Sequence, residues 1–175
     1  MKQPGLFEVF WQVPIQGWIK VNVDEASKGN PGLVGCGDVF RDQNGNVLWC
    51  FFGKCGISSA LESEMLSVIH AARFACHKGM NNIWLESDST IVVQAIRNGV
   101  IHIAWELTAR WMDCLAFLSS CNFIVTHVYQ EASTVAEKLA NKGVNTELTW
   151  VDGITPDLIP LLEKDCNKIP YFCLL

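Results

Sequence analysis

From Trp18 to Asp24 the chain alternates apolar with polar residues, the period of two that marks a strand with one buried face. This predicts a first core strand ending near Asp24. Lys28-Gly29-Asn30-Pro31-Gly32 then reads as a turn, followed by an apolar run from Gly35 to Phe40, the turn Asp42-Gln43-Asn44-Gly45 and a second apolar run from Val47 to Phe52. Asn-Gly between two β-rich runs signals a hairpin, so three successive antiparallel strands are expected.

The period changes after Ser58. Leu61, Met65, Val68, Ile69 and Ala72 fall at helical spacing, and Lys78-Gly79 is a typical stop. Ile83-Trp84-Leu85 reads as a short buried strand leading into Glu86-Ser87-Asp88-Ser89, and Ile91, Val92, Ala95 and Ile96 as a helix closed by Asn98-Gly99. A further helix is predicted over Ala104–Ser119, with Trp111, Cys114, Leu115 and Leu118 on its apolar face. A strand over Asn122–Tyr129 and a last helix from Ser133, as N-cap, to Lys142 and Gly143 follow. A strand followed by a helix is half of a parallel crossover unit.

The flanks differ from this core. Residues 1–16 are loop-like, and residues 146–175 carry Pro156, Pro160 and Pro170 among apolar residues, leaving room for one short kinked helix near Pro156–Lys164. The organisation expected is an N-terminal tail over 1–16, one domain over 17–145 and a C-terminal tail over 146–175. With half of its 175 residues apolar, the chain can bury an ordinary core. Apolar stretches end well short of the ~20 residues of a membrane span, and Met1–Phe10 has no signal-peptide pattern. The eight cysteines lie scattered in apolar segments without a Cys-x-x-Cys pair; they are read as reduced residues of an intracellular protein with no disulfide partner. Thirteen Lys and Arg against eighteen Asp and Glu give a net charge of −5, so any grip on a polyphosphate requires a local basic strip or bound metal ions.

Four carboxylates stand out by position: Asp24 at the end of the first core strand, Glu64 in the first long helix, Asp88 at the end of the fourth core strand, and Glu137 early in the last helix. Singly, such acids serve as caps or solvated groups. If the first and fourth strands are parallel neighbours, however, Asp24 and Asp88 flank the crevice where open α/β sheets hold ligands. Carboxylates crowded there repel one another unless cations lie between them, and an all-oxygen donor set favours Mg²⁺ or Mn²⁺ over zinc.

Taken in order, these segments resemble the ribonuclease H family. Lys20-Val21-Asn22-Val23-Asp24-Glu25-Ala26-Ser27-Lys28-Gly29-Asn30-Pro31-Gly32 is similar to its first-strand motif, and Glu64 stands where its helix carries Glu. Leu85-Glu86-Ser87-Asp88-Ser89 looks like its Glu-Ser/Thr-Asp-Ser segment, and His127 followed by Val135-Ala136-Glu137-Lys138-Leu139-Ala140 resembles its His then Val-Ala-Asp-x-Leu-Ala. The likeness covers about Gly17 to Gly143. Its wording, including Gly-Trp-Ile-Lys-Val-Asn before Asp24, is nearest to the module that ends plant non-LTR retrotransposon polyproteins and their domesticated relatives.

The resemblance implies a ribonuclease H-like α/β fold: a five-stranded mixed sheet, its first three strands antiparallel and the fourth and fifth parallel to the first, flanked by helices. It implies endonucleolytic hydrolysis of the RNA strand of RNA–DNA hybrids by two Mg²⁺ ions, replaceable by Mn²⁺. Asp24, Glu64, Asp88 and Glu137 would be metal ligands, and His127 would move water or release product. Lys28, Gly29, Asn30 and Gly32 would touch the nucleic acid. Glu62 competes with Glu64 for the helix position but lies farther from the apolar stripe.

Four departures qualify this. The last acid is Glu137 where the family has Asp, Glu25 replaces the Gly after the first Asp, Ala132-Ser133 stands for Gly-Asn, and Asp38 occupies a place where Gly is common. Two alternatives therefore stay open: a catalytically impaired nucleic-acid-binding module, and a protein-interaction module using apolar tail residues such as Leu158-Ile159 and Leu161-Leu162.

Overall fold

The computed structural model describes residues 5–99 and 103–174; the sequence readings at 1–4, 100–102 and Leu175 fall outside the described residues. Among the described residues eight strands occur in the order β1 (Leu6–Val9), β2 (Ile19–Gly29), β3 (Gly32–Arg41), β4 (Val47–Ser58), β5 (Asn82–Ser87), β6 (Asn122–His127), β7 (Thr149–Asp152) and β8 (Tyr171–Leu174). Five helices are interleaved: α1 (Ala60–His77), α2 (Thr90–Asn98), α3 (Trp105–Ser120), α4 (Thr134–Gly143) and α5 (Ile159–Cys166).

Strands β2, β3 and β4 form the expected antiparallel meander. The β3–β4 turn is held by Asp42, whose Oδ1 accepts from the backbone N–H groups of Asn44 and Asn46. Strand β5 pairs parallel with β2, and β6 parallel with β5, through the crossovers that α1, α2 and α3 supply. To these five expected strands the structure adds a sixth, β7, antiparallel to β4, giving the order β6-β5-β2-β3-β4-β7. The two tails also pair with each other, β1 against β8. Four residues are too few for a period-two pattern to stand out, and each of these strands exists through its partner rather than its own sequence.

Alternation on β2 and β3 decides the layers. Val21, Val23 and Phe40 face α1, α2 and α3, where Met65, Val68, Ile69, Val92, Ile96, Trp111 and Leu118 complete the larger core. On the other face Val39 meets Ala136 and Leu139 of α4 and Leu158 and Leu162 of the tail. Helix α4 can lie this close because β3 has no side chains beneath it at two positions. A Cβ on Gly35 would come within 2.3 Å of the Ala140 carbonyl oxygen, and one on Gly37 within 2.2 Å of the Ala140 nitrogen.

Helix α1 starts in a capping box, Ser59 and Glu62 exchanging hydrogen bonds, and α2 ends at Gly99 in the left-handed region. Ser133 sits at the N-cap of α4 but makes no side-chain cap; its backbone oxygen accepts from Glu137 N–H while its hydroxyl is buried without a partner. The expectation of eight reduced cysteines is corrected at one place. Cys36 on β3 and Cys55 on β4 are joined as a disulfide with Cα atoms 6.3 Å apart. A register shift between Val34 and Gly35 brings Cys55 beside Cys36, an adjacency that sequence spacing does not reveal. No described helix is long and apolar enough to cross a membrane.

Candidate active site

The last parallel pair between β2 and β5 is Val23 with Ser87, so Asp24, still within β2 and paired with Gly37 of β3, lies beside Asp88, the first residue past the end of β5. Two further elements aim acids at this point. Helix α1 brings Glu64 against β2 from one face, and α4, seated on Gly35 and Gly37, brings Glu137 from the other.

The electrostatics follow from these groups sharing one space. The Asp24 carboxyl is pushed up to about 9, first by burial and then by repulsion from Asp88, Glu64 and Glu137; its one opposing influence is the Glu25 N–H bond, 2.7 Å to Oδ1. Glu64 is raised to about 8 by burial, Asp88 and Glu25. Asp88 is raised by burial, with His127 acting in the opposite sense. Glu25 is raised by burial and by Asp88, while Ser63 opposes the shift. Glu25 therefore belongs to the cluster as a fifth carboxylate, which its sequence position beside Asp24 suggests but does not establish. Glu62 is bound in the α1 cap, and its Ser59 bonds hold it below the usual carboxylate range.

His127 closes β6 opposite Ser87 and places Nε2 3.0 Å from the Asp88 carbonyl oxygen. Its ring is exposed and stands edge-on to Tyr129. The Lys28–Gly32 turn lies at the far end of β2, with Lys28, Gly29 and Asn30 exposed. Asn30 Oδ1 accepts from the Ala60 N–H, tying the turn to the start of α1. At Gly32 a Cβ would meet the Lys28 carbonyl oxygen at 2.2 Å, so the turn needs glycine there.

Behind Asp24, on the same face of β2, lies a buried polar network that sequence patterning missed. Lys20 donates to Glu86 at 2.8 Å and to the Gln12 carbonyl, and sits 4.0 Å from the Trp84 ring. Asn22 donates to Glu86 Oε2 and accepts from Trp11 Nε1. Arg41 lies over Trp11 and pairs with Asp165 at 2.6 Å, and Asp165 also accepts from the Tyr171 hydroxyl. Polar residues at alternate strand positions look solvent-facing in sequence; here both tails cover them.

The donor set suits hard divalent cations. Asp24 Oδ2, Asp88 Oδ1 and Glu25 Oε2 are buried acceptors without a hydrogen-bond partner, and every candidate ligand is a carboxylate oxygen. Among the described residues no three acid, Cys or His side chains stand close enough around one point to hold an ion without side-chain movement.

The chain matches the reverse transcriptase-like family over residues 22–143. It is 36% identical over 159 residues to a curated Arabidopsis thaliana protein named "Putative ribonuclease H protein", covering 89% of this chain but only 25% of that relative. Among solved structures, RNase H1 from Halobacterium salinarum superposes with a TM-score of 0.66 at 23% identity, covering 73% of this chain and 98% of that one. LC11-RNase H1 in complex with RNA/DNA hybrid superposes with a TM-score of 0.64 at 21% identity, covering 73% and 96%.

Proposed function

Since the chain belongs to the reverse transcriptase-like family and has the ribonuclease H-like fold, we propose that it binds RNA–DNA hybrids and hydrolyses their RNA strand internally. The observation that supports this reading is that Asp88, Glu64 and Glu137 lie near enough to the buried Asp24 carboxyl to add to its rise.

In this reading the four carboxylates hold two Mg²⁺ ions, for which Mn²⁺ substitutes. When bound, such a pair lowers the pKa of the attacking water and neutralises charge on the leaving oxygen. The chain's own groups do the rest. The β2–β5 register pairs Val23 with Ser87 and so sets the backbones of the next residues, Asp24 and Asp88, beside each other. His127, held at the Asp88 carbonyl yet exposed, is placed to move a proton or water at the mouth of the site. Lys28, Gly29 and Asn30 offer a cationic side chain, a backbone N–H and an amide to the nucleic-acid backbone, while Gly32, expected to touch it as well, is buried and shapes the turn. Contact with the 2′-hydroxyl distinguishes the RNA strand.

A second reading, binding with reduced turnover, is favoured by one observation: Glu25 adds a fifth acid that raises Glu64 and is itself raised by Asp88. The test is a hybrid labelled on either strand and incubated with Mg²⁺ or Mn²⁺. Cutting of the RNA strand alone, with double-stranded DNA untouched, supports hydrolysis; tight binding of the hybrid without cutting supports the second reading.

A further inference from the structure

An acidic chain needs a local cationic surface to hold a polyphosphate, and the Lys28 turn supplies one lysine. A larger cationic surface lies elsewhere, along the outer side of α1. Arg73 and His77 form a ridge between two clefts. One, of about 590 Å³, separates α1 from α3 and is lined also by Arg110, Cys76 and Asp113. The other, of about 570 Å³, opens toward Trp150 and is lined also by His70 and Lys78.

The cations here are gathered against their mutual repulsion. Arg110 is lowered by burial and then by Arg73, and its Nε is buried without a hydrogen-bond partner. His70 feels both arginines and, by burial first, is lowered to about 4, so it stays neutral against the Phe51 ring. Asp113 is the acid in the larger cleft, yet among the described residues neither Arg73 nor Arg110 forms an ion pair with a carboxylate. Structural arginines at a surface normally find acids; like charges held together without them suit an incoming anion.

We infer that the Arg73–His77 ridge with Arg110 is a second nucleic-acid contact, binding backbone phosphates of a strand that extends beyond the carboxylate site. It rests on the nucleic-acid reading above. The occupant is a phosphate chain rather than a stacked base, because the Trp150 ring already stacks on Phe74, 3.7 Å between centroids. The occupant is also a polymer. Arg73 is nine residues from Glu64, about 14 Å along the helix and roughly half a turn around it, so a mononucleotide cannot reach both sites. The chelating planar fork of arginine fits a phosphate oxygen pair.

The test is salt-dependent hybrid binding by the full chain in Ca²⁺, comparing native protein with Arg73→Ser/Arg110→Ser. Both side chains leave the surface without opening the core, and thermal melting checks that the fold persists. With a hybrid of about 20 base pairs the double variant should bind on the order of tenfold more weakly. The slope of log affinity against log salt should become shallower by about 0.9 for each phosphate that the variant no longer neutralises. Asp113→Asn, which removes the acid from the larger cleft, should tighten binding of the same hybrid. Equal affinity and slope for native and double variant on this hybrid overturn the inference and leave the proposed function standing. Failure of the native chain to bind the hybrid overturns both.

Discussion

Asp38 Oδ1 lies 2.8 Å from the Ser67 hydroxyl, which stands the same distance from the Asp24 carbonyl oxygen. A hydroxyl has one proton, so Ser67 cannot donate to both. The chain of contacts is satisfied when Asp38 is protonated and donates to Ser67, which donates to Asp24. Complete burial favours that state, holding Asp38 well above the usual carboxylate range, and leaves Oδ2 without a partner should the group ionise. The carboxylic acid at a position where Gly is usual thus acts as a neutral brace behind the strand that carries Asp24.

A raised carboxyl contributes its stability below its unfolded value of about 3.9, and that contribution is lost as pH rises toward the folded value. Asp38→Asn keeps a neutral donor for Ser67, so at pH 8 it should raise the melting temperature by a few degrees, corresponding to about 1 kcal/mol. The advantage should vanish near pH 4. Thermal melts of both proteins across pH 4–8 decide this; parallel curves would mean that Asp38 ionises freely.

Arg41 and Asp165 pair at 2.6 Å with 1% and 3% of their surfaces exposed, joining β3 to the C-terminal segment. Arg41→Ala strands a buried carboxylate and should cost about 3–5 kcal/mol. Replacing both partners by apolar residues, Arg41→Met with Asp165→Leu, should restore most of it. Urea unfolding of the three proteins measures the difference, and a single variant as stable as the native chain would show the pair to be dispensable.

Gly37→Ala brings a methyl group against the α4 backbone at Ala140 and Ala136. Helix α4 must shift, at a cost of about 1–3 kcal/mol, and Glu137 moves with it. The expected signature is a fall in metal affinity and hybrid cleavage larger than the loss of stability explains. A variant with unchanged metal affinity would separate Glu137's position from the glycine contact.

Glu137→Asp shortens by a methylene, about 1 Å or more, the acid that stands where the family has Asp. Displacement on that scale changes rates by on the order of a hundredfold where positioning governs. Cleavage faster in Glu137→Asp than in the native chain would identify a detuned site; slower cleavage would mean that α4 has settled to suit the longer side chain.

Much of this was legible in the sequence, for identifiable reasons. Long elements with a strong period, such as β2 and α1, announce themselves, and Asp24, Glu64, Asp88 and Glu137 stand out by lying within β2, within α1, just past β5 and within α4; the sequence expectation that the first core strand ends near Asp24 falls short, because β2 runs on to Gly29 through its pairing with β3. The pairing of β7 with β4 and of β1 with β8 does not, because four-residue strands carry no period of their own. Lys20 and Asn22 read as solvent-facing by alternation, yet the N-terminal tail and β5 bury them, since a polar residue's burial is decided by partners distant in sequence. Cys36 and Cys55 are hidden for the same reason.

The most direct measurement is cleavage of an RNA–DNA hybrid by the purified chain in Mg²⁺ and Mn²⁺, run beside Asp88→Asn. The account predicts metal-dependent cutting of the RNA strand that Asp88→Asn abolishes while the fold and hybrid binding persist. Cutting that survives Asp88→Asn, or that needs no divalent ion, would contradict the assignment of this carboxylate cluster as the reacting site.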